Sequence, residues 1–344
     1  MKYNTIKTQK GLTLIELMIA VVLGIFITGG MIQIFTSSKQ NYRVQENLSR
    51  VQENGRFAMD FIARDIRMAS YWGCVKNGLD TTINGLDSSK AAPNYDVNFH
   101  GFADGVAGLN GGAANILPDT LTLRGAFNGG ISVVTPYAVQ PSDPLNISAG
   151  NNLVQSDIVM ISDCEKSDIF QITNANPGAG QVSHVIDNTF QPGNTNVADP
   201  GCPAGHCLSK VYLGDASIYK ISTIAYSIQL GASGEPALFR RIDGGANQEL
   251  IEGIENMQIL YGEDTDNDST PNYYLPAGSA GLNLDNVVSI RVSLVARTLD
   301  SNLLSNLAIV TPSYTINGTV VAPPDDHRIR RVFTSTIAVR NRLP

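Results

Sequence analysis

Lys10-Gly11-Leu12-Thr13-Leu14-Ile15-Glu16-Leu17 opens the stretch that decides how this chain folds. Lys2, Lys7 and Lys10 precede Glu16, and after it no charged side chain appears until Lys39. The uncharged run from Leu17 to Ser38, about 22 residues at about 1.5 Å each in a helix, measures roughly 33 Å and can cross a hydrocarbon core of about 30 Å. Lysines before the run and none close behind it predict a cytoplasmic amino end, with everything after Lys39 on the far side of the bilayer. A cleaved secretory signal peptide starts the same way. Against it stand the carboxylate inside the apolar segment and the lack of a small-x-small site near Phe35 to Ser38.

Glu16 needs a physical account. A carboxylate deep in lipid costs about 2.5–3.5 kcal/mol, so it must snorkel, take up a proton or find a cation. Cleavage after Gly11 would supply the cation, a new α-ammonium on Leu12 four residues from the acid.

Beyond Lys39 the helical period continues. Leu48, Val51, Ala58, Ile62, Ile66 and Ala69 recur at three- and four-residue steps or their sum, with Gly55 on the same face. One helix is predicted over residues 12–72, roughly 90 Å long and spanning the membrane at about 17–38. Arg50, Glu53, Arg56, Asp60, Arg64, Asp65 and Arg67 alternate in sign, as on a solvated or subunit-facing side, with Asp60–Arg64 as an i to i+4 pair.

The remainder, 73–344, reads as an extracytoplasmic, β-rich head. The whole chain has 344 residues, of which 43% are hydrophobic and 16% charged, which excludes wholesale disorder. Its formal net charge of -7 excludes a general polyanion binder, so nucleic acid is not an expected partner. From Gly73 to about Gly205 the turn-rich sequence predicts loops joined by short strands, among them Thr120 to Arg124, Asp157 to Ser162 and Ile169 to Thr173. Val288, Ile290, Val292, Leu294 and Ala296 alternate with Ser289, Arg291, Ser293, Val295 and Arg297, giving one apolar and one mostly polar face. Ile254 to Tyr261 and Val332 to Val339 read similarly. The fold class expected is α+β, a long amino-terminal helix packed on an antiparallel sheet with large loop-rich insertions.

Candidate chemistry is sparse. Cys74, Cys164, Cys202 and Cys207 all lie beyond the membrane run, where disulfides can form, and three full pairings exist. The short loop holding Pro203 and Gly205 favours Cys202 with Cys207, leaving Cys74 with Cys164. His206 adds a third soft ligand there, but the local sequence offers no fourth for zinc. Asp264, Asp266 and Asp268 resemble the first half of a calcium loop, but Ser269 and Leu275 stand where such a loop has glycine and glutamate; a solvated acidic turn is the main reading and calcium the alternative. His100, His184, His206 and His327 are scattered, and no catalytic motif appears, so no enzyme activity and no other cofactor are expected. Arg328, Arg330, Arg331, Arg340 and Arg342 make the carboxyl end basic.

The segment Lys10 to Leu17 closely resembles the class III signal of type IV prepilins and pseudopilins. Arg56 to Ala69, Arg330 to Arg342, and Tyr261-Gly262 followed by Asp264-Thr265-Asp266 are similar to PilW-type minor pilins. The resemblance implies a pilin-like fold and cleavage after Gly11 by the prepilin peptidase/methyltransferase, with N-methylation of Leu12. Leu12 departs from the phenylalanine usual there. It further implies that Glu16 docks against a neighbour's terminal amine, and that the chain is a minor pilin helping to initiate pilus assembly. Its partners would be the major pilin, other minor pilins, the inner-membrane assembly machinery and the lipid bilayer; its place would be the bacterial inner membrane, with a periplasmic head, and then the pilus, near the tip. A minor pseudopilin of a type II secretion system and a tip adhesin or DNA-uptake subunit are the rival readings.

Overall fold

A computed structural model describes residues 13–74, 82–87, 89–90, 105–112, 117–127, 129–195, 202, 205–301 and 311–342. The fold is α+β: among the described residues a long α-helix, Leu14–Met68, is followed by predominantly antiparallel sheets. The helix stops at Met68, short of residue 72, because Ala69 turns extended and Ser70 adopts a φ of 60°. The carboxyl terminus clasps that end. Asn341 Nδ2 donates to the carbonyls of Arg67 and Ala69, and Arg342 Nε donates to Ser70 Oγ at 2.9 Å.

Three sheets stack along the second half of the helix and beyond its end. The stalk sheet runs Tyr273–Leu275, Ile254–Glu263, Val287–Arg297, Arg330–Ala338 in spatial order, all antiparallel. The middle sheet runs Gln248–Glu252, Pro236–Ile242, Ser222–Leu230, Thr120–Gly125, Val106–Leu109. Both contribute to one core with the helix face of Val51, Ala58, Ile62, Ile66 and Ala69, whose centre is fully buried. Gly55 lies on that face because the Phe333 ring sits against it: a Cβ there would fall 2.2 Å from Phe333 Cε2.

The third sheet forms a crown past the helix end, in the order Thr82–Asn84, Ser167–Gln171, Ile158–Ser162, Ser217–Lys220, Ile131–Ser132. Thr82–Asn84 joins it in parallel and the other pairs are antiparallel. Each of its two central strands is buried along its whole length, and the crown has its own apolar clusters. What reads in sequence as loops with short strands is therefore an organised lobe. Ile158–Ser162 and Ser167–Gln171 are as uniformly covered as strands of a core.

The mostly polar face of Val287–Arg297 is itself covered: Ser289, Ser293 and Val295 are buried. A hairpin, Tyr314–Ile316 with Thr319–Val321, belongs to this layer: Ile316 and Val321 pack with Val295, and Ser293 Oγ donates to Asn317 Oδ1 at 3.0 Å. The turn itself is Asn317-Gly318 with φ of 48° and 80°, the left-handed pair that a two-residue hairpin requires.

Candidate functional site

Gly11 and Leu12, the expected cleavage and methylation positions, lie outside the described residues. Immediately after them the helix begins on a reciprocal cap. Thr13 is extended, its N–H and its hydroxyl both donate to Glu16 Oε2 at 2.9 Å, and Glu16 N–H donates to Thr13 Oγ1 at 3.4 Å. Such a box satisfies two of the donors that a helix start leaves open and places negative charge at the positive end of the macrodipole. Glu16 thus has an intrachain role before any subunit contact. The helix start holds its carboxylate at the margin of the apolar run.

From Leu14 to Phe35 every large apolar side chain is between 51% and 78% exposed. Among the described residues nothing covers this rod, which is long and apolar enough to cross a membrane. Burial begins only at Val51. The helix is therefore two objects in series, a bare apolar half and a half whose inner stripe is sealed by the stalk and middle sheets.

The outer face of the sealed half carries Arg56, Phe57, Asp60, Phe61, Arg64 and Arg67, all exposed. Asp65, grouped with them by sign alternation, is instead buried. Its Oδ2 accepts from the Tyr226 hydroxyl at 2.5 Å and lies 3.5 Å from Arg240, fastening the helix to the middle sheet. Burial first, and the neighbouring Asp65 charge next, push the Tyr226 hydroxyl well above its ordinary value. Along this helix the ion pair between side chains is Glu46–Arg50 at 2.9 Å rather than Asp60–Arg64, among the described residues.

The basic carboxyl end is not a free cationic surface. Arg330, nearly closed to solvent, pairs with Glu255 at 2.6 Å and Asp326 at 2.7 Å; Arg328 pairs with Glu235 at 2.8 Å, and Arg297 with Glu235 at 2.6 Å. Burial works against ionising Asp326, but the Arg330 contact outweighs it and holds the carboxyl at about 2. Arg342 spends its guanidinium on the backbone carbonyls of Leu284, Asp285 and Val287 as well as on Ser70. Arg331 and Arg340 remain exposed.

The four sulfurs form two bridges, Cys74–Cys164 and Cys202–Cys207, so neither cysteine beside His206 is a thiolate. The first links the residues just after the helix to the turn between the crown's central strands. Asp264, Asp266 and Asp268 bring carboxylate oxygens within 4.8 Å of one another. Asp264 already uses both of its oxygens, accepting from the N–H groups of Asp266, Asn267 and Ser269 at 3.2, 2.7 and 2.7 Å. Asp266 and Asp268 are exposed.

Of the four histidines, His100 lies outside the described residues, His327 stands 3.6 Å from Asp325, and His184 and His206 meet in the crown. Sequence reasoning left that last pair apart, because the partners are 22 residues distant and His206 lies inside the Cys202–Cys207 bridge.

Comparisons with known proteins bear on both ends of the chain. Residues 225–341 match the family model described as Type IV Pilus-assembly protein W, and residues 6–32 match the Prokaryotic N-terminal methylation motif. A type IV-like pilin from Thermus thermophilus is similar in structure at 10% sequence identity, over 86% of this chain and 98% of that chain, with a TM-score of 0.33. So loose a superposition carries no weight by itself. No curated protein matches the chain.

Proposed function

Starting from a chain that is type IV pilin-like, with a prepilin methylation motif and a pilus-assembly protein W region, we propose that it is a minor pilin that helps to initiate assembly of the type IV pilus. The observation that carries this reading is the division of the helix. A bare apolar half continues into a half already sealed by its own head, so the protein presents a rod that no described residue covers. Lipid covers that rod first and neighbouring rods cover it afterwards, exchanging one apolar surrounding for another. The head stays folded throughout because its core does not include the exposed half.

In this reading a prepilin peptidase cuts after Gly11 and methylates Leu12, the single-pass subunit waits in the inner membrane with its head in the periplasm, and the mature chain takes a place near the pilus tip. Glu16 then has two tasks in sequence. It caps its own helix through Thr13, and it offers its remaining lone pairs to a terminal ammonium on an adjacent subunit. No catalytic residue is assigned, and the matched family is one of pilus assembly and not of enzymes.

The test is genetic and quantitative. Deleting the gene in its host is expected to remove or sharply reduce surface pili, and restoring it with Glu16→Ala is expected to leave the subunit in the membrane and out of sheared pili. Normal piliation in the deletion strain together with blocked protein export would assign the chain to a secretion pseudopilus instead. Normal incorporation of Glu16→Ala would refute the role given to the carboxylate.

A further inference from the structure

The crown contains a buried polar pair that the assembly reading does not use. His184 Nδ1 lies 2.9 Å from His206 Nδ1, and both residues are at most 3% exposed. The hydrogen positions follow from the partners. His184 Nε2 faces the carbonyl oxygen of Asp143 at 3.1 Å, and a carbonyl can only accept. The proton of neutral His184 therefore sits on Nε2, its Nδ1 is bare, and His206 Nδ1 donates across the 2.9 Å gap. His206 Nε2 is left as a bare lone pair against Gly85, where a Cβ would fall 2.4 Å from it.

This arrangement admits two neutral rings and resists charge. A second added proton would set two N–H groups against each other over 2.9 Å, and even a first places a cation in a dry site. The surroundings supply little to stabilise it. From the Ser167–Gln171 strand the facing group is the Phe170 ring, with centroids 5.2 Å from His184 and 6.3 Å from His206. From the residues after Thr82–Asn84 it is Gly85. The facing carboxylate, among the described residues, is that of Asp143, whose Oδ2 already accepts from the N–H groups of Val139 and Gln140. The pair joins three described segments outside the sheets: the stretch after Gln181–Val182, the turn at Asp143, and residues 205–208.

We propose that the His184–His206 contact is an acid-released latch, which fastens residues 205–208 and the stretch after Gln181–Val182 to the crown at neutral pH and frees them in mildly acidic surroundings. Burial holds both rings below the ordinary histidine value, His206 at about 3 with the His184 ring adding to the effect. A depressed histidine contributes stability that is complete above about 6.5 and is lost as pH falls, because the opened segment binds protons that the closed one excludes. Between pH 7.5 and pH 5, His206 alone then favours opening by roughly 30-fold. His184 acts in the same direction.

Hydrogen exchange on the full chain in detergent micelles reads this directly, as protection factors corrected for intrinsic rates. The amide of Leu208, which donates to Pro141 O at 3.1 Å, and that of Ser183, which donates to Asn174 Oδ1 at 2.8 Å, are the reporters. Their protection is expected to fall at least tenfold from pH 7.5 to pH 5, while amides of Val287–Arg297 hold theirs. The double variant His184→Gln/His206→Gln, which keeps donors and acceptors but cannot titrate, is expected to flatten the response. Unchanged reporter protection in the wild type, or an equal fall in the double variant, overturns the proposal. If the double variant does not fold, 15N-histidine spectra of the wild type decide: rings that are neutral at pH 6.5 and take up protons together at lower pH, where the reporter protection is lost, support the latch; titration of both rings near 6.5, or rings still neutral at pH 4, ends it.

Discussion

Gly55→Ala on the buried helix face is a sensitive test of the packing described. In an open helix the change gains about 1 kcal/mol, since alanine is the better helix former. Here the added methyl would stand 2.2, 2.5 and 2.6 Å from Phe333 Cε2, Cδ2 and Cζ. Carbon atoms in contact prefer about 3.5–4.0 Å, so the ring must retreat by more than about 1 Å. Phe333 is opposite Leu294, itself fully buried, and it packs on the same core, so the retreat disturbs neighbours. Overpacking of this kind costs about 1–3 kcal/mol against the propensity gain of about 1 kcal/mol; the close approach of three ring atoms puts the site at the upper end, for a net loss of about 1–2 kcal/mol. Urea denaturation of the full chain in micelles, followed by circular dichroism and by the fluorescence of the single tryptophan, Trp72, measures it. Phe333→Leu alone should also destabilise, but Gly55→Ala on that background should cost at least about 1 kcal/mol less than on the wild type. A Gly55→Ala protein as stable as wild type, with no coupling to Phe333, would refute the account of this interface.

Three further outcomes are expected. Arg330→Met removes the nearest cation from Glu255 and Asp326, which keep Arg297 at 3.5 and 4.0 Å, and should cost about 2–3 kcal/mol at neutral pH by denaturant titration. The wild type should lose the Asp326 contribution as pH falls from the ordinary carboxylate range near 3.8 toward about 2, because a depressed carboxylate stabilises only while ionised. Replacing Cys74 and Cys164 by Ser opens a bridge of sequence separation 90 and should lower stability by about 2–5 kcal/mol, seen as a lower melting temperature. Asp264→Ala removes the acceptor of three backbone N–H groups and should cost about 1–3 kcal/mol, against little change for Asp268→Ala; the calcium alternative requires in addition a calcium-dependent rise in melting temperature that Asp266→Ala abolishes.

The parts of the fold that local periodicity controls were legible in the sequence. A 3.6-residue rhythm marked the helix through Ala69, and the two-residue rhythm of Val288 to Arg297 marked the central strand of the stalk sheet. What failed did so where a long-range partner overrides local pattern. Asp65 looks like one more surface charge until Tyr226, 161 residues away, donates to it. Ser293 belongs to the polar stripe of its strand, but the Asn317 hairpin buries it by satisfying its hydroxyl. The crown was the least legible region, because its strands are short, covered on both faces and separated by Gly- and Asn-rich turns. Among the candidate site residues, Glu16 stands out in the sequence by charge placement, its capping partner Thr13 was not singled out, and His184 with His206 was not joined, since nothing local signals a pairing over 22 residues.

The central claim is that proteolysis turns an apolar anchor into a filament subunit, and amino-terminal mass spectrometry of the protein recovered from its host tests it most directly. The account predicts a mature chain that begins at Leu12 with a methylated α-amine. An intact Met1 on the protein recovered from the membrane would contradict it.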